Sequence, residues 1–282
     1  MKINIITSRE ELFKEILTEH SDDLSTSFNG KSEDFDINII DCLYNYDSKK
    51  YNFTYCVSKI VYFFDRQYFN DNCNLEEFRP DNFIIGDFSF FPSFYSKIVQ
   101  KNKKTFNDSY KIKSSKEINT VISSIMNKYE FPYDHFKERV VVVLNELLFN
   151  AIFNAPLDDM GNPKFRFLDR KEEVLMPKGK EVDLKIENNK DHLIVECTDY
   201  YGSLNENIIK NYVYRTILRP ENKKGGAGLG LNLIFNNINE ILFDLSEEKH
   251  TKITIKMIKT KRNLDYLKSY KYLDISFDGE EL

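Results

Sequence analysis

The sequence has few of the residues that build metal or redox chemistry. Its four cysteines, Cys42, Cys56, Cys73 and Cys197, are widely spaced and include no C-x-x-C pair. That spacing gives neither a structural zinc site nor a disulfide framework, and reduced, packed thiols are expected. The four histidines, His20, His135, His192 and His250, do not cluster either, so zinc chemistry is set aside. There is no excess of basic residues: 40 Lys and Arg against 45 Asp and Glu leave a formal charge of −5 and a pI near 5.6. An acidic balance argues against nucleic acid or an anionic membrane as a partner. No apolar run approaches the roughly 20 residues of a membrane-spanning helix, and the first ten residues are too short in apolar run for a signal peptide. A cytoplasmic protein is expected. Glycine is scarce too, ten in 282 residues, yet Gly225, Gly226, Gly228 and Gly230 fall within six positions. That concentration marks a local device.

What is present describes an ordinary folded chain, 41% hydrophobic and 30% charged, long enough for two domains. Residues 1–104 read as a small α/β domain. Residues 2–6 alternate in a β-rich run, 10–18 have helical periodicity, and 36–41, 60–64 and 82–88 read as strands before a short helix over 92–99. Strands interleaved with helices predict a parallel sheet. Gly30-Lys31-Ser32 ends like a P-loop, but Ser25 stands where that motif needs its first glycine, so a plain loop is expected. Asp41 closes its strand, where the receiver domain of a response regulator keeps its phosphoacceptor, and this half resembles such a receiver. Thr7 and Ser8 replace the acidic pair that would hold magnesium, and Gly86-Asp87-Phe88 offers no lysine. Without those groups nothing offsets the charge of an incoming phosphoryl group. The resemblance therefore implies a degenerate receiver, serving as an interaction or dimerisation module, with a homodimer allowed. The lysine-rich stretch 101–115 reads as a solvated linker, with the domain boundary after residue 104.

Residues 105–262 carry the second domain. Ile118, Val121, Ile122, Ile125 and Met126 form a helical stripe ending near Tyr129; Pro132 breaks it, and Asp134 is placed to cap the next helix. On that helix Val141, Leu144, Leu148, Ala151, Ile152 and Ala155 form a core face. Glu146 and Asn150, four apart, point the same way, and Asn154 drifts round from them as a helix-end residue without a role. A carboxylate in so apolar a helix needs a partner. One reading is a core helix with a narrow wetted stripe; the other is a general base and a metal-ligating amide lining a cavity. Residues 156–180 form a polar connection without periodicity, a length that is usually functional or mobile. Residues 181–187 and 192–198 alternate as a hairpin. Period two brings Asp199 out at a strand end on the face of Leu193, Val195 and Cys197. The glycine cluster directly precedes a helical stripe of Leu231, Ile234, Phe235 and Ile238. A glycine-rich turn opening a helix presents N–H groups and the positive dipole end to phosphate. Strands over 241–245 and 252–258 complete a sheet, and 263–282 form a C-terminal extension that docks on the domain or reaches a partner. The fold class expected is α/β, with the second domain an α+β sandwich whose helices cover one face of a mixed sheet.

Three of these pieces stand in a telling order: Glu146-Leu-Leu-Phe-Asn150-Ala151, Asp199 through Gly202, and Gly226-Ala-Gly228-Leu229-Gly230. They resemble the N-box, the Asp-x-Gly-x-Gly box and the Gly-x-Gly-x-Gly box of the GHKL (Bergerat-fold) ATPases, over 116–259. The resemblance implies Mg-ATP as cofactor, with Asn150 as the magnesium ligand and Glu146 as the base that activates an attacking hydroxyl or water. Asp199 would read the adenine amine, and Gly202, Gly226, Gly228, Leu229 and Gly230 would let the backbone close on the nucleotide. Residues 207–224 become a lid, with Lys224 and its neighbours Arg215, Arg219 and Lys223 available to phosphate. Within the superfamily the likeness is to the anti-sigma-factor serine kinases. It implies a kinase acting on a serine or threonine of a regulatory partner, a sigma factor or an anti-anti-sigma type substrate. A histidine-kinase-like ATPase is one alternative, but His135 lies on the Glu146 helix and His20 in the other domain, so neither suits a phosphoacceptor. The box at Asp199 also departs from the family: Tyr201 and Ser203 take the places of its two glycines, and no arginine closely precedes Gly228. A catalytically silent nucleotide-binding or partner-sequestering module is the other alternative.

Overall fold

The computed structural model describes residues 2–6, 14, 25–28, 37–41, 59–65, 82–86, 105–165, 167–169, 171–211 and 229–277. It is a mixed α/β structure that divides into two compact units, Met1–Lys103 with Lys268–Leu273, and Lys104–Leu267 with Asp274–Leu282.

The first unit contains β1 (Lys2–Ile6), β2 (Ser25–Phe28), β3 (Ile37–Asp41), β4 (Lys59–Asp65) and β5 (Asn82–Gly86). Every described pairing among them is parallel, and the order is β2-β1-β3-β4-β5. Parallel sheets are covered on both faces, so their strands read as near-continuous apolar runs; the Ile-rich β3 and the Val-Tyr-Phe-Phe run of β4 have that character, and Ile5 and Ile39 are fully buried. The strand β2 is not foreseen from sequence. Its Ser-Thr-Ser-Phe carries one large apolar residue, and it pairs along one side only, with β1. Asp41 ends β3. The expected loop at Gly30–Ser32 and helix at 92–99 lie outside the described residues, as does the helix at 10–18 apart from Lys14.

The second unit begins with β6 (Asp108–Ile112), α1 (Glu117–Lys128) and α2 (Asp134–Phe149). There follow β7 (Val182–Asn188), β8 (His192–Asp199), α3 (Leu229–Asn237), β9 (Glu240–Ser246), β10 (His250–Ile258) and α4 (Asn263–Lys268). The strands are antiparallel in the order β9-β10-β8-β7-β6. The later half of β11 (Lys271–Phe277) stands beside β9, where Ser276 Oγ donates to the Phe243 carbonyl at 3.1 Å. Alternate residues Leu184 and Ile186 on β7, Val195 and Cys197 on β8, and Ile255 and Met257 on β10 are buried, as are Ile118, Ile122 and Ile125 of α1 and Val140, Leu144 and Leu148 of α2. The intervening positions carry cross-strand ion pairs, Lys111–Asp183 at 3.5 Å, Lys185–Glu196 at 2.9 Å and Lys252–Asp244 at 2.6 Å. A sheet with one apolar and one charged side is the expected antiparallel pattern.

Three local expectations change. The stretch read as a solvated linker contains β6, in which Tyr110 and the buried Ile112 alternate with the exposed Ser109 and Lys111. Its lysine is the outward residue of an edge strand, a common way of blunting such an edge. Asp134 does not cap α2; Tyr133 holds the N-cap position in extended conformation with no side-chain capping bond to the helix, and Asp134 sits in the first turn, where its charge favours the helix dipole. Finally, the helix does not run on regularly to Ala155. It widens after Phe149 into a π-helical turn, Asn150–Asn154, closed by the Ala155 N–H on the Asn150 carbonyl at 2.9 Å. Such turns recur at functional sites. Within α2 itself the core face is also broader than the expected stripe: Val143 and Leu147 are buried while Val141 is half-buried.

Candidate functional site

A cavity of about 1320 Å³ in the second unit is lined by residues of α2, its π-helical turn, the end of β8, β10 and the first turn of α3. Glu146 and Asn150 stand on the first wall. Gly230, on α3, approaches them closely: a Cβ there would lie 2.6 Å from Glu146 Oε2 and 3.3 and 3.4 Å from the Asn150 amide nitrogen and oxygen. The missing side chain at Gly230 leaves room beside α3 for the Glu146 carboxylate and the Asn150 amide. The Asn150 Oδ1 accepts a 2.8 Å hydrogen bond from Asn154 Nδ2, while its own Nδ2 is buried without a partner. Leaving a buried amide donor unmade costs about 1–3 kcal/mol. Turning both amides by 180° keeps their mutual bond and puts Oδ1, a metal-competent oxygen, where Nδ2 stands.

At the other wall, β8 delivers Asp199 with only 7% of its surface exposed. The Tyr201 N–H donates to Asp199 Oδ1 at 3.0 Å, an Asx-type turn that fixes the carboxylate at the strand end. Burial pushes the Asp199 carboxyl up to about 6, against the backbone N–H groups of Tyr201 and Gly202, which pull it down. Thr251 on β10 is the register partner of Asp199. Its hydroxyl helps to hold the carboxylate down electrostatically, yet it is buried and makes no hydrogen bond of good geometry. An ionisable acid and an unsatisfied hydroxyl thus face the same cavity side by side. Gly202 also lines it, with φ +63, and a Cβ there would lie 2.7 Å from the backbone nitrogens of Glu248 and Lys249 in the β9–β10 turn.

No protein-family model and no curated protein matches the sequence.

Glu146, Asn150, Asp199, Gly202 and Gly230 come together around one cavity, and Leu229 opens α3. Lys224, Gly226 and Gly228, with Arg215, Arg219 and Lys223, lie outside the described residues. Three residues join the site that the sequence did not single out: Asn154 through its bond to Asn150, Thr251 through strand register, and Lys180, whose Nζ donates to the Tyr200 carbonyl. Among the described residues no three His, Cys, Asp or Glu side chains converge, so a divalent ion here would take Asn150 and complete its shell with phosphate oxygens and water, as magnesium often does. The far end of α3 is tied down as well. Arg139 donates to Asn237 Oδ1 and to Asn263 Oδ1, each at 3.2 Å, and lies 4.9 Å from the Tyr266 ring centroid, while the Tyr266 hydroxyl donates to the Asn237 carbonyl at 2.6 Å. Among the described residues no helix is long and apolar enough to cross a membrane.

Proposed function

We propose that the second unit is a Bergerat-fold nucleotide-binding domain of the GHKL type. The chain would then be a cytoplasmic regulatory protein that uses Mg-ATP to phosphorylate a serine or threonine of a partner, a sigma factor or an anti-anti-sigma type protein. The observation that carries this reading is the approach of Gly230 to Glu146 and Asn150 at one end of a cavity whose other end holds Asp199. The residues suit the group: an unpartnered buried amide at Asn150, a buried hydroxyl at Thr251 beside Asp199, and space at Gly230 next to Glu146 and Asn150. Asn150 would hold magnesium, Asp199 and Thr251 would hold the adenine, and the first turn of α3 would favour phosphate. Bound Mg-ATP supplies the phosphoryl group and the ion that offsets its charge. Glu146, beside that turn, accepts the proton of the attacking hydroxyl.

For the first unit, the order β2-β1-β3-β4-β5 is that of flavodoxin-like sheets, which supports a receiver-like domain with Asp41 at the carboxyl end of its strand. In this reading it recruits the partner or dimerises. The test is calorimetry with Mg-ATP, followed by incubation with labelled ATP and extracted proteins. Wild type should bind and label a partner, and Glu146→Gln should bind equally and label nothing. Absence of both heat and thermal shift in wild type removes the nucleotide reading. Binding without any labelling leaves the silent module, which the tyrosine at 201 favours.

A further inference from the structure

Tyr201 and Lys180 are not accounted for by that reading, although they flank its most buried acid. In the bend that follows β8 the two tyrosines part. Tyr200 turns away and donates its hydroxyl to Asp183, whereas Tyr201 lines the cavity. Its position relative to Asp199 is set by the 3.0 Å backbone bond to that carboxylate. Behind the ring sits Lys180, from the end of the long 156–180 connection. Its Nζ lies 5.3 Å from the Tyr201 ring centroid and is anchored on the Tyr200 carbonyl. Tyr201 lines the cavity and Lys180 does not, so the cation reaches that wall through the ring.

We propose that Tyr201, backed by Lys180, is a stacking platform for the purine ring of the nucleotide, and that it selects a flat aromatic base before Asp199 reads the exocyclic amine. The inference rests on the nucleotide reading above and adds the residue that grips the base. A cation over one face of an aromatic ring draws electron density from it, which favours an electron-rich ring on the opposite face. The partial burial of the phenol and the nearby Asp199 charge raise its pKa, so the ring is neutral at physiological pH. A tyrosine at this position could instead plug the base subsite. Against that, the cavity keeps about 1320 Å³ with the ring at its wall, more than the roughly 300–1,000 Å³ of ordinary ligand pockets.

The two roles predict opposite signs. As a platform, Tyr201→Ala should weaken ATP and ADP binding about tenfold or more, Tyr201→Phe should bind like wild type, and Lys180→Met should lose a few-fold. Inorganic triphosphate, which has no base, should bind all of these equally. Because the chain has no tryptophan, Tyr201→Trp introduces a single reporter whose emission should be quenched by ATP but not by triphosphate. Tyr201→Leu, which keeps more volume, replaces the alanine variant if the latter does not fold. If Tyr201→Ala or Tyr201→Leu binds nucleotide as tightly as wild type or tighter, the platform is overturned while the nucleotide site stands. If wild type binds triphosphate but neither ATP nor ADP, the base subsite fails with it. If wild type binds none of the three, both readings fall.

Discussion

Replacing Asp199 by asparagine tests whether this carboxylate is held in the fold for a ligand's sake or for the fold's own. In the unfolded chain an aspartate ionises near pH 4; in the folded protein burial moves the same group up to about 6. Between those values the folded state binds more protons than the unfolded one, so stability falls as pH rises. The contribution is fully present below about pH 4 and is lost as pH passes through 6. A shift of about two pH units corresponds to roughly 3 kcal/mol, borne by the ionised carboxylate at neutral pH. The asparagine variant keeps the acceptor for the Tyr201 N–H and nearly the same shape, but it cannot ionise. Its stability should exceed that of wild type by about 2–3 kcal/mol at pH 7.5 and converge on it near pH 4. Parallel urea unfolding across that range measures the difference, in which other titrating groups cancel. A difference that is absent at pH 7.5, or flat with pH, refutes the argument from desolvation. The ligand side has the opposite sign. A carboxylate accepts from an adenine amine more strongly when ionised than when protonated, so wild-type affinity for ATP should weaken as pH falls below 6, and the variant should bind more weakly than wild type at neutral pH. Stability gained where binding is lost is the usual mark of a residue kept for function.

Two further variants probe the phosphate end. Gly230→Ala places a methyl 2.6 Å from Glu146 Oε2; it should change stability by no more than about 1 kcal/mol, because the flexible end of Glu146 can swing aside and alanine favours the helix, but it should weaken nucleotide binding by crowding Asn150, read by thermal shift and calorimetry, and retained affinity would show that the close approach is incidental. Asn154→Ala removes the 2.8 Å bond that orients the Asn150 amide. Magnesium-dependent ATP affinity should fall about tenfold while affinity in chelator is unchanged, and titration with manganese followed by spin resonance reports the metal directly; no change in either removes Asn154 from the site.

What could be read in advance follows from which features are local. The helix α2, the β7–β8 hairpin and the exit of Asp199 from its strand depend only on periodicity, and they lie where the sequence pattern puts them, although the buried face of α2 includes Val143 and Leu147 in place of Val141. The strand β6 was hidden because its pairing with β7 connects residues far apart in the chain, and only Ile112 of its five residues is fully buried. Thr251 and Lys180 become visible only when register and loop path bring them to Asp199. The π-helical turn has no compositional signature, since Asn-Ala-Ile-Phe-Asn suits an α-helix equally well. Its consequence is nevertheless chemical. It brings Asn154 to the Asn150 amide, so the residue that looked like a helix end becomes the partner of the one that carries the metal assignment.

Gly202 and Gly230, both at the cavity, differ in what surrounds them. At Gly230 the obstruction to a side chain is Glu146 and Asn150, so the glycine belongs to the site itself. At Gly202 it is the backbone of the β9–β10 turn together with a φ of +63, so that glycine is required by the fold even if no nucleotide ever binds. The residues on either side, Tyr201 and Ser203, carry no positive φ, and both line the cavity. Backbone geometry therefore leaves those positions open to side chains, and what fills them alters the chemistry of the base end without disturbing the strand that delivers Asp199. Under the nucleotide reading, Tyr201 and Ser203 are therefore a choice of ligand surface and not a demand of the backbone, so the decisive measurements concern what the cavity holds and not whether the domain folds.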